Sequence, residues 1–246
     1  MEGRHMPKVV DAEAQRTRVI EGAWSIILDD GFNGATMRQI ASRANCTTGL
    51  VTHYFKSKED LLLMMIRHSA KLARERINAA LAGRRGLDSV RALLIESTPI
   101  AADQAAEWRI WVALWDQALS NDRLRALWTR RSEGWMGLVR GGLLGAIELG
   151  EIAADAPIEQ ITETLAAFHY GLSLSAVLTP QRAGAKQIIH ILNQEVSYIA
   201  KAFPGSATAG AGRRRAGPAK PKALAPAGRL PQDATQRSPT GGAKAR

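Results

Sequence analysis

The chain has 246 residues, 46% of them apolar and 23% charged, a globular balance with room for a sizeable core. Its net charge of +10 is uneven: residues 204–246 hold nine Lys/Arg against one acid, and the preceding 203 residues carry only +2, so total charge alone is no argument for nucleic acid. A single cysteine, Cys46, excludes an intrachain disulfide, and no apolar run approaches the ~20 residues of a membrane span.

Taken in chain order, Met1–Met6 reads as a cloning remnant ahead of a native start at Met6. No leader with a charged and then an apolar region follows, so a cytoplasmic protein in a reducing compartment is expected. Strand-type alternation is lacking, while apolar residues recur at helical spacing almost throughout. A first helix is predicted from about Asp11 to Asp30, with Val19, Ile20, Ala23, Trp24 and Ile27 on one stripe and Gly31 as its stop. Thr36-Met37-Arg38-Gln39 and Ser57-Lys58-Glu59-Asp60 have the form of capping boxes, in which a hydroxyl and a side chain three residues on satisfy each other's backbone amides. Between them lie two short helical pieces, about 37–44 and 48–55, joined by a turn at Asn45-Cys46-Thr47. A long helix over 58–81 follows, and five more are predicted near 88–98, 102–119, 122–149, 158–179 and 183–203, punctuated by Pro99, Asn121, Pro157 and Pro180.

The fold class expected is therefore all-α, about nine helices. A helix-turn-helix unit occupies 7–57, and a C-terminal bundle 58–203 is joined to it by the linking helix 58–81. The remainder, 204–246, holds eleven Ala, seven Gly and six Pro and no aromatic residue. It cannot bury enough apolar surface to offset its ordering entropy and is expected to be a disordered basic tail. The tail's charge either stays solvated and inert or adds sequence-independent affinity for DNA.

Two short helices around a tight turn are the arrangement that presents a helix to the DNA major groove. Ile40, Ala41, Ala44, Cys46, Val51 and Phe55 fit an inward core, leaving Arg38, Thr47, Thr48, Leu50, Thr52, His53 and Tyr54 outward. The window 36–58 carries Arg38, Arg43, Lys56 and Lys58 and no acid. The string Gly31-Phe32, Ala35-Thr36-Met37-Arg38-Gln39-Ile40-Ala41, Arg43-Ala44, Gly49-Leu50-Val51, His53-Tyr54-Phe55, Ser57-Lys58-Glu59 and Leu61-Leu62 resembles the DNA-binding unit of the TetR family of transcriptional repressors. Thr52 departs from it, standing where the family often has an aromatic residue.

That resemblance implies an all-helical homodimer binding a palindromic operator in double-stranded DNA. By position, Thr47, Thr48 and Thr52 are expected at base edges beside Gly49, and Leu50 at a thymine methyl. Arg38 is expected on a guanine or a phosphate, and Thr36, Tyr54 and Lys58 on phosphates, with His53 on the same face. His53 and Tyr54 packing on the first helix is the alternative.

Five of the six Trp fall between residues 108 and 135. Trp108, Trp111 and Trp115 line one helix face, and Trp128 and Trp135 lie seven apart. Core packing accounts for such a row; the alternative is an aromatic box for a cation, with an acid such as Asp116 or Glu133 nearby. Trp111-Val112-Ala113-Leu114-Trp115 with Ala118-Leu119, and the helix reaching Tyr170-Gly171-Leu172, are similar to the choline-responsive, betaine-pathway repressors of the same family. The resemblance implies a small-molecule effector, cationic or hydrophobic, held by Trp108, Trp111, Trp115, Asp116, Trp135 and Tyr170.

The helices near 158–179 and 183–203 are apolar on more than one side, which calls for a core on one side and a second subunit on the other. Leu165, Phe168, Gly171, Leu172 and Ser175, with Ile188, Leu192, Val196 and Ile199, are the expected interface, paired with their mates as a four-helix bundle. No metal-ligand spacing, phosphate loop or nucleophile turn occurs, so no metal, cofactor or enzymatic activity is expected. The function expected is a repressor released by its effector. An activator or ligand-independent regulator of the same family stands next, and a helical enzyme or adaptor last.

Overall fold

A computed structural model describes residues 12–182 and 184–206, and among these described residues there are nine helices: α1 (Ala12–Gly34), α2 (Met37–Arg43), α3 (Thr48–Tyr54), α4 (Lys58–Leu81), α5 (Gly86–Ser97), α6 (Ala102–Ala118), α7 (Asp122–Glu148), α8 (Ile158–Leu178) and α9 (Ala185–Ala202). The expectations for residues 1–11 and 207–246 lie outside the described residues. Among the described residues the sole β feature is a single bridge between Ile152 and Pro204. It shifts the expected start of the tail: Phe203 accepts a hydrogen bond from the Ala153 amide at 3.0 Å, and Gly205 is buried, so the packed chain runs past Phe203.

The punctuation acts locally as expected. Gly31 leaves the helical conformation at φ 74°, a left-handed value open to glycine at little cost, and so breaks α1 near its end. Asn45, also at positive φ (49°), turns the chain between α2 and α3. At the start of α2, Thr36 Oγ1 accepts from the Gln39 amide (3.3 Å), while Gln39 Oε1 accepts from the Thr36 amide (3.0 Å) and hydroxyl (2.6 Å). Thr47 caps α3 by accepting from the Leu50 amide at 3.2 Å. Ser57 caps α4 through the Asp60 amide, but the return bond differs from a reciprocal box: Asp60 Oδ2 accepts from Lys56 N, one residue further out. The shorter Asp side chain explains why the reciprocity is lost.

Two hydrophobic cores form. One joins α1, α2, α3 and the first half of α4 (Val19, Ile26, Ile27, Ile40, Val51, Phe55, Leu61, Leu62, Met65, Ile66) with Ile110, Leu114 and Ala118 of α6 and Leu124 of α7. The other collects Ile77 of α4 with α5, α7, α8 and α9, centred on Leu93, Leu94, Val139, Leu143, Leu165, Leu192 and Val196. α4 therefore takes part in the first core at one end and the second at the other, while α6 joins the first. Gly142 lets α7 close on α5, since a Cβ there would sit 2.7 Å from Val90 Cγ2.

Candidate functional site

In the capped pair α2–α3, Thr36, Arg38, Thr47, Thr48, Gly49, Thr52 and His53 are exposed. Ile40, Ala41, Val51 and Phe55 are buried beneath them, and Ala44 and Cys46 are half-buried. The side chains differ in what they still have to offer DNA. Thr52 donates to the Gly49 carbonyl (3.1 Å), and Thr36 gives its proton to Gln39, so both hydroxyls already serve the helices. Leu50 is half-buried against the first core rather than fully outward.

Tyr54 also turns inward, donating its hydroxyl to the Ala12 carbonyl at 3.1 Å and meeting the His53 ring edge-on at 5.3 Å. Its proton is thus committed to the start of α1, which favours the packing alternative over a phosphate contact. Arg43 spends its charge on Asp29 (3.0 Å) and also bonds the Ser25 hydroxyl. Arg38 and Lys56 stay exposed. Lys58 opens α4, and its side chain lies outside the described residues.

The second feature is a cavity of about 120 Å³ where α4, α5, α6, α7 and α8 meet. Four of the residues expected to hold an effector line it from α6 and α7 (Trp108, Trp111, Trp115 and Trp135), Tyr170 lines it from α8, and Trp128 completes a near-continuous aromatic wall. Its rings meet edge to face, Trp108 on Trp115 at 5.8 Å and Trp115 on Trp128 at 5.2 Å, with Tyr170 5.4 Å from Trp128. Asp116, by contrast, is exposed, accepts a hydrogen bond from Gln117 Nε2, and does not line the cavity; at one position past Trp115 it falls off the aromatic face. Glu133 is exposed and outside the lining as well.

The acids in the cavity wall are Glu107 and Glu96, both held by Arg76 of α4. Arg76 donates Nη1 and Nη2 to the two oxygens of Glu107 (2.7 and 2.8 Å) and Nε to Glu96 (2.8 Å), with Asp103 at 3.6 Å. Burial raises the Glu107 carboxyl above the usual carboxylate range against the pull of Arg76, and Asp103 and Glu96 add to the rise. The hydrogen bonds that Arg76 donates to Glu107 keep its guanidinium firmly protonated. Arg131 of α7 also lines the cavity and Asp103 does not, so two guanidinium groups face two carboxylates in the wall. Sequence reasoning missed Glu107, although its place four residues before Trp111 was a signal for it; Arg76 and Glu96 arrive from other helices and carried no such signal.

Polar groups complete the lining. The Ser97 hydroxyl donates to the Leu93 carbonyl (2.7 Å), so its oxygen accepts from Trp135 Nε1 (3.2 Å) and from His169 Nε2 (3.1 Å). That assigns the proton of neutral His169 to Nε2 and leaves Nδ1 as a buried acceptor with no partner. Burial pushes His169 down to about 3, and its ring stacks on Trp135 at 4.7 Å. Trp115 Nε1 is a buried donor, also without a partner. Burial raises the Tyr170 phenol, which pairs with the Ser132 hydroxyl at 3.0 Å.

The predicted subunit interface divides in two. Leu165, Ile188, Leu192, Val196 and Ile199 are buried in this subunit's own second core, because one face of each amphipathic helix satisfies the chain itself. Phe168 and Leu172 are half-buried, and Gly171 and Ser175 exposed. The uncovered apolar groups nearby are Leu178 (67% exposed) and Tyr198 (65%), with half-buried Ile191. Among the described residues no group of three His, Cys, Asp or Glu is placed to hold a metal, and no helix is long and apolar enough to cross a membrane.

Known proteins resemble the chain over both its N-terminal and its C-terminal part. Residues 19–65 match the bacterial regulatory proteins of the tetR family, and residues 87–201 match the C-terminal part of BetI-type transcriptional repressors. The chain is 30% identical over 196 residues to the HTH-type transcriptional regulator PksA of Bacillus subtilis (strain 168), covering 79% of this chain and 94% of that protein. It is 29% identical over 202 residues to the HTH-type transcriptional regulator BetI of Burkholderia mallei (strain NCTC 10229), covering 79% and 97%. Among solved structures, a transcriptional regulator from Saccharomonospora viridis in complex with choline superposes with a TM-score of 0.70 at 23% identity, covering 76% of this chain and 97% of that one. These relatives are transcriptional regulators and not enzymes. The chain belongs to the TetR family of bacterial transcriptional regulators, with a C-terminal half of the BetI type.

Proposed function

We propose that the protein is a cytoplasmic, homodimeric repressor that holds a palindromic operator through α3 and releases it when a small organic cation fills the aromatic cavity. The observation that carries this reading is the cavity itself, in which an aromatic wall meets the buried Glu107 carboxylate beside α4, α6 and α7, helices that also reach the DNA-binding core. Indole faces attract a cation by about 2 kcal/mol or more when water is excluded. The choline bound by the Saccharomonospora viridis regulator, a quaternary ammonium, supports the same ligand class here.

In the dimer, two copies of α8 and α9 pack through Phe168, Gly171, Ser175, Leu178, Ile191 and Tyr198, the small residues allowing close approach. A two-fold axis then places the two α3 helices ~34–36 Å apart, one turn of duplex. Thr47, Thr48 and Thr52 read base edges beside Gly49, Leu50 supplies apolar contact to a thymine methyl, and Arg38, His53 and Lys58 bind guanine or backbone. Selection of binding sites from random duplexes with the full chain tests the first half of this reading, and a palindrome is expected. Titration with choline, read by tryptophan fluorescence and by release of that duplex, tests the second. A non-palindromic site, or choline that perturbs neither signal, refutes the corresponding half.

A further inference from the structure

We infer that Arg76 is the latch through which the state of the cavity reaches the DNA-binding unit: it clasps α4 to α6 and α5, and a cation in the cavity competes with it for Glu107. This rests on the reading of the cavity as the effector site. The placement is specific. Arg76 sits between Ile66, which belongs to the first core, and Ile77, which belongs to the second. Its two-pronged bond to Glu107 and its Nε bond to Glu96 are what joins that stretch of α4 to the cavity wall.

Glu107 lies four residues before Trp111 and eight before Trp115, so the carboxylate gripped by Arg76 shares their side of the helix. Further along the same stripe of α6, Ile110, Leu114 and Ala118 lie in the first core, and Arg109 bonds the Leu28 carbonyl of α1. The clasp therefore ties together two rods that both pack against α1 in the first core. From Arg76 back to Leu61 is ~22 Å of α4 at helical rise, enough to carry a loss of restraint to the DNA side. An incoming monocation finds Glu107 already engaged by a guanidinium, so sharing or exchanging that partner weakens the clasp. Arg76 acts through α4 and α6 and is a positioning residue.

Amide hydrogen exchange on the purified full chain tests this without needing an operator. Arg76→Gln and Glu107→Gln are each expected to speed exchange in residues 58–66 roughly 5- to 150-fold, the span of an allosteric coupling. Exchange in residues 188–199 of the second core stays unchanged, and Arg76→Lys, which keeps charge without the fork, falls between. Change confined to residues 70–81 and 96–107 overturns the latch, as does a uniform rise across both cores, which reports only lost stability. If Arg76→Gln does not fold, Glu107→Gln and Arg76→Lys separate the same outcomes. Choline added to the unsubstituted protein distinguishes the two claims. The same pattern supports both; silence from choline beside a response from Glu107→Gln sinks the cationic effector and leaves the latch; the reverse sinks the latch alone.

Discussion

Replacing His169 by Gln tests how dry the cavity wall is. His169 is completely buried, stacks on Trp135, and is pushed from its ordinary 6.5 to about 3 by burial. Between these two values the unfolded chain binds a proton that the native chain refuses, so stability rises with pH across that window. The contribution is fully present above pH 6.5 and is lost progressively as pH falls towards 3. At pH 5 the loss is about 2 kcal/mol per subunit, being 1.5 pH units at about 1.4 kcal/mol each. That figure depends only on the native value lying well below 5.

The measurement is urea unfolding at pH 7 and pH 5, at one protein concentration because a dimer's stability depends on it. Gln removes the stacking and lowers stability at both pH values, so the quantity to read is the change between them. The unsubstituted chain should lose about 2 kcal/mol more than His169→Gln on acidification. His68, lowered by its own burial near Trp24, is present in both proteins and cancels. Parallel losses in the two proteins would refute the neutral, buried assignment of His169 and with it the proton placement on Nε2.

Other substitutions report on the remaining elements. Thr48→Ala should cost about 1–3 kcal/mol at one base position of the selected duplex, whereas Arg38→Ala should weaken all sequences and lower the salt slope by about one; binding isotherms at several salt concentrations check both, and equal losses on specific and random DNA refute the division. Thr36→Ala removes the cap of α2 and should destabilise the chain by about 0.5–2 kcal/mol in urea unfolding, an unchanged midpoint being the contrary result. Leu178→Asp with Tyr198→Asp should yield folded monomers in sedimentation equilibrium, and a persistent dimer would move the interface elsewhere.

Local chemistry made much of this molecule readable from its residues. Helix ends follow from Thr36, Thr47, Ser57, Gly31 and Asn45 because caps and left-handed turns involve neighbours only a few residues apart. The exposed face of α3 follows from the same short-range periodicity, which is why Thr47, Thr48 and Thr52 appear where expected. The aromatic row of α6 was equally visible. Its acid was not: Asp116 is one residue off that face, and the carboxylates that count are held by Arg76 from a helix more than twenty residues away in the chain.

The same limit explains Tyr54, whose partner is the Ala12 carbonyl, and the split of α8 and α9. An amphipathic stripe states that a face must be covered and leaves open by what. Leu165, Leu192 and Val196 turn to the chain's own core, and Leu178 and Tyr198 are left for something else. What the linear order determined was helices, their ends and the exposed face of α3, because those depend on contacts within a turn or two. Which acid meets which guanidinium, and which apolar face remains bare, was decided only when distant segments packed together.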